Sequence, residues 1–241
     1  MVTDFIYTDK VILRMQKNIV AQKDKILEAA KWFSETIIND KLIHVFGAGH
    51  SHMIGLELYI RAGGLANVNA MLDPDVLTSN GANRSGKLER LSGIADVIWE
   101  DHVIKTGDII LIVSNSGRNA LPIEMALRAK KEGIKAIALT SLEQSGKQPS
   151  RHSNGKKLMD IADLVIDNGV PNGDGIMQID GITVGAVSSV SGILLANTIA
   201  TEAMQMVVAA GHKSPIYTSQ NIDGYNNDDL YARYKGRVKY I

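Results

Sequence analysis

Asp108-Ile109-Ile110-Leu111-Ile112-Val113-Ser114-Asn115-Ser116-Gly117-Arg118-Asn119 is an apolar, largely β-branched run that stops at hydroxyls, amides and a glycine. Five consecutive apolar residues fit a strand buried on both faces, as in a parallel sheet. A helix-like pattern opens at Ala120. A strand feeding a Ser/Asn/Gly turn at a helix N-terminus suits an anion, because free amides and the positive end of the helix dipole converge there. The design recurs upstream. Lys41-Leu42-Ile43-His44-Val45-Phe46 leads into Gly47-Ala48-Gly49-His50-Ser51-His52 and a further helix-like run.

Outward from these two stretches the chain alternates. Strands are expected at 41–46, 66–71, 108–114, 134–140 and 163–167, and helices at 51–62, 87–101, 120–132 and 182–210. This alternation predicts an α/β protein, a five-stranded parallel sheet covered on both faces in three flavodoxin-like layers. Right-handed crossovers then bring every strand C-terminus, and both hydroxyl loops, to one edge. Val11, Met15, Ile19, Ile26, Leu27, Ala30, Phe33 and Ile37 have helical spacing, so N-terminal helices over about 9–38 are expected, as one long helix or two. Loops are expected at 72–86, 141–156 and 168–181, all rich in turn formers. The expected organisation is one domain over 1–241, with an N-terminal helical segment (1–40), a core (41–210) and a tyrosine-rich tail (211–241).

Composition narrows the classes. The 241 residues are 45% hydrophobic and 22% charged, ample for a core. With 26 basic and 26 acidic residues, the chain lacks the basic excess of proteins that coat nucleic acid or an anionic membrane, and no such partner is expected. The absence of cysteine excludes disulfides and thiolate chemistry. The first ten residues lack the apolar core of a signal peptide, so a cytoplasmic location is expected. The apolar stretch near 182–210 carries Ser, Thr, Asn, Gly and Glu202, and reads as a buried helix rather than a membrane span.

Two motifs fall short of nucleotide sites. Gly47-Ala48-Gly49 begins a dinucleotide fingerprint, but His52 stands at the third glycine and no acid ends the next strand. Gly81-Ala82-Asn83-Arg84-Ser85-Gly86-Lys87 approaches a phosphate loop of nucleotide hydrolases, but Leu88 replaces the magnesium-binding hydroxyl. No cofactor is expected.

Ile112-Val113-Ser114-Asn115-Ser116-Gly117-Arg118-Asn119 resembles the S-x-S-G-x-[ST] signature of sugar isomerase (SIS) domains, and Gly47-Ala48-Gly49-His50-Ser51 resembles their first loop. Gly185-Ala186-Val187-Ser188-Ser189 is similar to the start of the helix after their fifth strand. The whole chain, with Arg61-Ala62-Gly63-Gly64 and Ser219-Gln220-Asn221-Ile222-Asp223-Gly224, looks like single-SIS-domain proteins that resemble phosphoheptose isomerase. The resemblance implies a homodimer or homotetramer with sites near subunit contacts. It also implies binding of a sugar phosphate by Ser51, Ser114, Ser116, Asn119 and Ser188, within loops that include Gly49, Asn115 and Gly117. Asn119 stands where Thr or Ser is usual, and keeps a donor.

Aldose–ketose isomerisation through an enediol needs a base and polar groups for the developing oxyanion. Phosphoheptose isomerases place a histidine and, four residues on, a glutamate on the helix after the first loop; Glu57 and Arg61 occupy those positions here. Glu57 is the candidate base, with Arg61 fixing it or a substrate oxygen; a structural ion pair is the competing reading. His50 and His52, at the loop–helix junction, are candidates to assist. With Glu57 they form a conceivable metal set, but the spacing matches no fixed site and no metal is expected. Asp180 is the second candidate acid, Gln178 could match a family glutamine, and Asp174 reads as a turn former. His44, inside a strand, reads as a satisfied core residue. Two other readings stay open: a non-catalytic phosphosugar sensor, and a lyase of the N-acetylmuramate-phosphate etherase kind.

Overall fold

Ile109, Leu111 and Val113 pack into one apolar cluster, and Ile110 and Ile112 into another. That split is the period-2 alternation of a strand buried on both sides. In the computed structural model, which describes residues 4–241, this strand is β3 (Ile109–Val113). It lies centrally in a fully parallel sheet of order β2-β1-β3-β4-β5. The other strands are β1 (Ile43–Gly47), β2 (Val68–Met71), β4 (Lys135–Thr140) and β5 (Leu164–Asp167). One face is covered by α2 (Lys23–Ile38), α3 (His52–Leu58) and α8 (Ser188–Ala209), the other by α5 (Ile94–Glu100) and α6 (Ala120–Lys131). The three-layer α/β expectation holds.

Several boundaries differ from expectation. The N-terminal pattern forms two helices, α1 (Ile6–Ala21) and α2, joined at Gln22; residues 1–3 of the 1–40 segment lie outside the described residues. The helix expected at 87–101 is split into α4 (Ala82–Leu88) and α5, because Gly93 adopts φ 92 in front of α5. α3, expected over 51–62, ends at Leu58. The expected loop at 72–86 holds the start of α4, and that at 141–156 holds α7 (Leu142–Lys147).

The largest correction is at 168–186. Residues 182–186 are a strand, not the start of a helix. β6 (Gly175–Ile179) and β7 (Ile182–Ala186) form an antiparallel hairpin. Its two-residue turn is Asp180-Gly181, with φ 50 and 74. Asp-Gly between β-branched runs is a strong hairpin signal, and here it overrides the helix-like apolar content downstream.

α8 is long and apolar enough, by composition, to cross a membrane. Leu195, Ala196, Ile199, Ala200, Ala203 and Val207 are instead packed in the core with α2 and the sheet. The tail folds onto its own subunit. Tyr217, Tyr234 on α9 (Asp228–Tyr234) and Val238 bury against Leu42 and Ala66. Arg233 and Arg237 both pair with Asp40.

Candidate functional site

The first loop turns as sharply as it does because of Gly47. A Cβ there would lie 2.5 Å from the Ser51 backbone, so any side chain would displace the loop. Gly49 follows with φ 58. The turn delivers His50 and Ser51 to the C-terminal edge of β1, beside the end of β3. There the Ser114 hydroxyl accepts from the Gly117 amide at 3.2 Å and keeps its own hydrogen to donate.

Asn115 is held in an amide ladder. It donates to Gln144 Oε1 at 2.5 Å and accepts from Asn168 Nδ2 at 3.0 Å. The Asn168 carbonyl accepts from Ser191 at 2.5 Å, tying the edge of β5 to α8. His50, Ser51, Asn115, Asn168, Ser188 and Ser189 therefore line one narrow cleft between α3, α8 and the strand ends. About 10 Å³ of it is open, room for roughly one water. Asn168 and Ser189 were not expected at the site; Asn168 carried a usable signal, since it directly follows a strand.

Other expected residues lie elsewhere. His52 turns back onto the Gly49 carbonyl and does not line the cleft. Glu57 lies one turn beyond Ile54, which lines the cleft. It accepts from Asn197 of α8 at 2.9 Å and pairs with Arg61. Its side chain is 22% exposed, against 51% for Arg61, so the pair sits on the solvent side of the α3–α8 contact. Among the described residues, no three metal-donating side chains converge.

Asp180 is exposed at the hairpin tip, away from the cleft residues. The acid beside the cleft is Asp174. It accepts from the amides of Val187 and Ser188 at 3.0 and 2.7 Å, and from the Ser188 hydroxyl at 2.7 Å. The start of α8 is thus already occupied by an internal carboxylate. Gln178 donates to Thr183 within the hairpin. Gly117 is buried, and Ser116 is half-buried on the second loop. Asn119 begins α6 and accepts from Arg151 at 2.9 Å.

His44 is satisfied in the core, as expected. Its ring lies 3.2 Å from Asp108 Oδ2 and 2.9 Å from Asn69 Nδ2. Asn69 also reaches His102 at 3.0 Å. Burial raises the Asp108 pKa, but the His44 bond and the Leu42 and Lys105 amides outweigh it and hold the carboxyl below its ordinary value. Burial pushes His102 down to about 4. A larger groove, about 480 Å³, runs along α1. Its Arg14 and Lys10 donate to the carbonyls of Gly169 and Ile176, which fastens α1 to the β5–β6 connection.

The parallel sheet of order 2-1-3-4-5 and the paired hydroxyl loops define a sugar isomerase class of domain, and the chain belongs to the SIS domain family, which matches residues 6–141. Over nearly its whole length it is similar to UPF0309 proteins. One from Halalkalibacterium halodurans is 42% identical, covering 88% of this chain and 90% of that protein. One from Caldanaerobacter subterraneus subsp. tengcongensis is 38% identical, covering 98% and 99%. The fold is similar to phosphoheptose isomerase from Neisseria gonorrhoeae, with TM-score 0.54, 18% identity and coverage of 81% and 94%. It is also similar to a phosphoheptose isomerase from Francisella tularensis, with TM-score 0.52, 16% identity and coverage of 83% and 95%.

Proposed function

We propose that this chain binds a sugar phosphate and interconverts its aldose and ketose forms by proton transfer. The observation that carries the reading is the α3–α8 seam, where hydroxyl and amide groups line the cleft at the strand ends and the Glu57 carboxylate, held by Asn197, lies about one helical turn (about 5 Å) further along α3. The donors suit the phosphate and hydroxyls of a sugar, with Ser51, Ser114, Ser116 and Asn119 in the binding role. Glu57 is the base that moves the proton between adjacent carbons. Asn197 and Arg61 hold it in position. His50, in the cleft, serves ring opening or proton shuttling.

Exposed apolar residues on both of these helices, Met53 and Leu56 on α3 and Val190 and Leu194 on α8, support a homodimer or homotetramer. A cytoplasmic location is part of the same reading.

Incubation with candidate aldose and ketose phosphates in D₂O tests the reaction. Interconversion with deuterium incorporation is expected, and Glu57→Gln should cut the rate by about 10²–10⁴ while binding persists. No exchange and no interconversion across the panel would sink the isomerase reading. The ties of Glu57 to both Arg61 and Asn197 favour a second reading, a phosphosugar sensor. Tight binding unaffected by Glu57→Gln, with no turnover, would select it.

A further inference from the structure

Two stretches singled out in the sequence, Arg61-Ala62-Gly63-Gly64 and Ser219-Gln220-Asn221-Ile222-Asp223-Gly224, lie far apart in the chain and are brought together by the fold. The Gly63 amide donates to the Tyr217 carbonyl at 2.8 Å, the Tyr217 amide donates to the Gly64 carbonyl at 2.9 Å, and Leu65 pairs with Ile216 in an antiparallel bridge. Where the stretches meet, just past the end of α3, lies a cavity of about 180 Å³. That is well beyond the room one water needs. Residues 60–62 form one side of it, and residues 217–221 with Asn227 and Tyr231 form the other. Ile60 takes φ 40, a left-handed conformation that strains a β-branched residue, and strain of this kind clusters at ligand sites.

Among the described residues that line the cavity only Arg61 is charged, and Glu57 balances it. The cavity therefore has no net charge to offer an ion. It offers instead a mixture of unfilled hydrogen-bonding groups. Ser219 Oγ accepts from the Asn221 amide at 3.3 Å and keeps its own hydrogen. The Tyr231 hydroxyl accepts from Gln220 Nε2 at 2.9 Å and likewise keeps its hydrogen, while Gln220 Oε1 stays free to accept. The Asn221 side-chain amide has a donor and an acceptor without a partner among the described residues, and Arg61 reaches Glu57 with Nη1 alone. An anion calls for donors only. Donors beside acceptors suit hydroxyls, each of which does both. The Tyr217 and Tyr231 rings, 5.4 Å apart, add an apolar wall, and apolar walls with a few placed polar groups are how small-molecule sites fix their ligands.

We propose that this cavity is a subsite for an uncharged, polyhydroxylated group, held by Ser219, Gln220, Asn221 and Tyr231, with Arg61 joining it to Glu57. It takes the hydroxyl-bearing end of the ligand whose reacting carbons lie at Glu57, so the tail selects which sugar is accepted. This rests on the sugar-phosphate reading, and adds a specificity site built from residues outside the matched SIS region.

The probes are unphosphorylated D-ribose, D-glucose and D-mannose, titrated in the millimolar range against the full chain and read by saturation-transfer NMR, with acetate and acetamide as non-sugar probes. Saturable transfer to one or more of the sugars is expected, and none to acetate or acetamide. Ser219→Ala and Asn221→Ala should each weaken that sugar about tenfold, while Gln205→Ala, whose exposed side chain bonds only to Glu202, should not. Both tail variants should melt with the wild type, since neither residue is buried, which shows that they are folded. No saturable transfer to any of the sugars, equal affinity in both tail variants, or acetate or acetamide bound as strongly as sugar overturns the proposal. In the isomerisation assay the same variants should raise KM for an active sugar phosphate about tenfold. If sugar phosphates turn over with KM unchanged in both variants, the tail subsite falls and the isomerase reading stands. If the sugars bind and the variants weaken them, but no sugar phosphate is turned over, the subsite stands and the isomerase reading falls.

Discussion

Asp174 carries three hydrogen bonds on one carboxylate, from two amides at the start of α8 and from the Ser188 hydroxyl. It does so with a backbone φ of 68, a conformation that costs a non-glycine residue energy unless its side chain compensates. Here the side chain supplies that compensation as a helix cap placed from outside the helix. The carboxylate also takes the Ser188 hydroxyl that sequence reading assigned to a ligand. Asp174→Ala should lower stability by about 1–2 kcal/mol, read by urea denaturation. An unchanged midpoint would mean that the cap contributes nothing. The spacing Asp174-to-Ser188 is legible only as two separate residues, because the hairpin that folds one onto the other lies between them.

At the scale of elements, the strands were the most legible part. β3 is apolar over its whole length, and β1 and β4 are so apart from His44 in β1 and Lys135 and Thr140 at the ends of β4, because both faces are covered, and such a pattern has few alternatives. The hairpin was misread because Ile182-Thr183-Val184 continues into the apolar content of α8, and only the Asp180-Gly181 turn marks the reversal. The tail could not be placed from its own residues. Its tyrosines are amphipathic, and whether they bury depends on a surface formed by Leu42 and Ala66, which lie more than a hundred positions away. Tyr234 is fully buried in that contact. Tyr234→Ala should therefore cost about 3–5 kcal/mol, as for other large buried aromatics, measured as a shift in the unfolding midpoint. A loss below about 1 kcal/mol would mean that the tail docks only loosely.

For the whole molecule, the end of the sheet opposite the cleft sets a pH response. The chain Asp108–His44–Asn69–His102 crosses from β3 to β1, β2 and the connection after α5, and Asn69 also accepts the Lys239 amide from the tail. Lys239, His44 and Asp101 face His102. Burial holds His102 neutral down to about 4, whereas in the unfolded chain it takes a proton near 6.5. Between those values the unfolded state binds more protons, so stability is full above about 6.5 and falls as the pH drops toward about 4. Urea unfolding at several pH values should show this slope, and His102→Gln should flatten it. An equal slope in both proteins would rule His102 out as the cause.

The sequence by itself determined the layered parallel fold and the two hydroxyl loops at strand ends. Both are written in short runs: an apolar strand, a glycine turn, the opening of a helix. Those signals are local, and steric and hydrogen-bonding rules act on them within a few residues. Only the tertiary structure decided which side chains share a site. It put Asn168 and Ser189 into the cleft, withdrew His52 and Asp180 from it, gave Ser188 to Asp174, and brought Arg151 against Asn119 beside the Ser114 loop. The physical reason is that a side chain's neighbours across the sheet edge are set by how crossovers and helices pack. Arg151 and Asn119, 32 residues apart in sequence, meet through packing that no local pattern records.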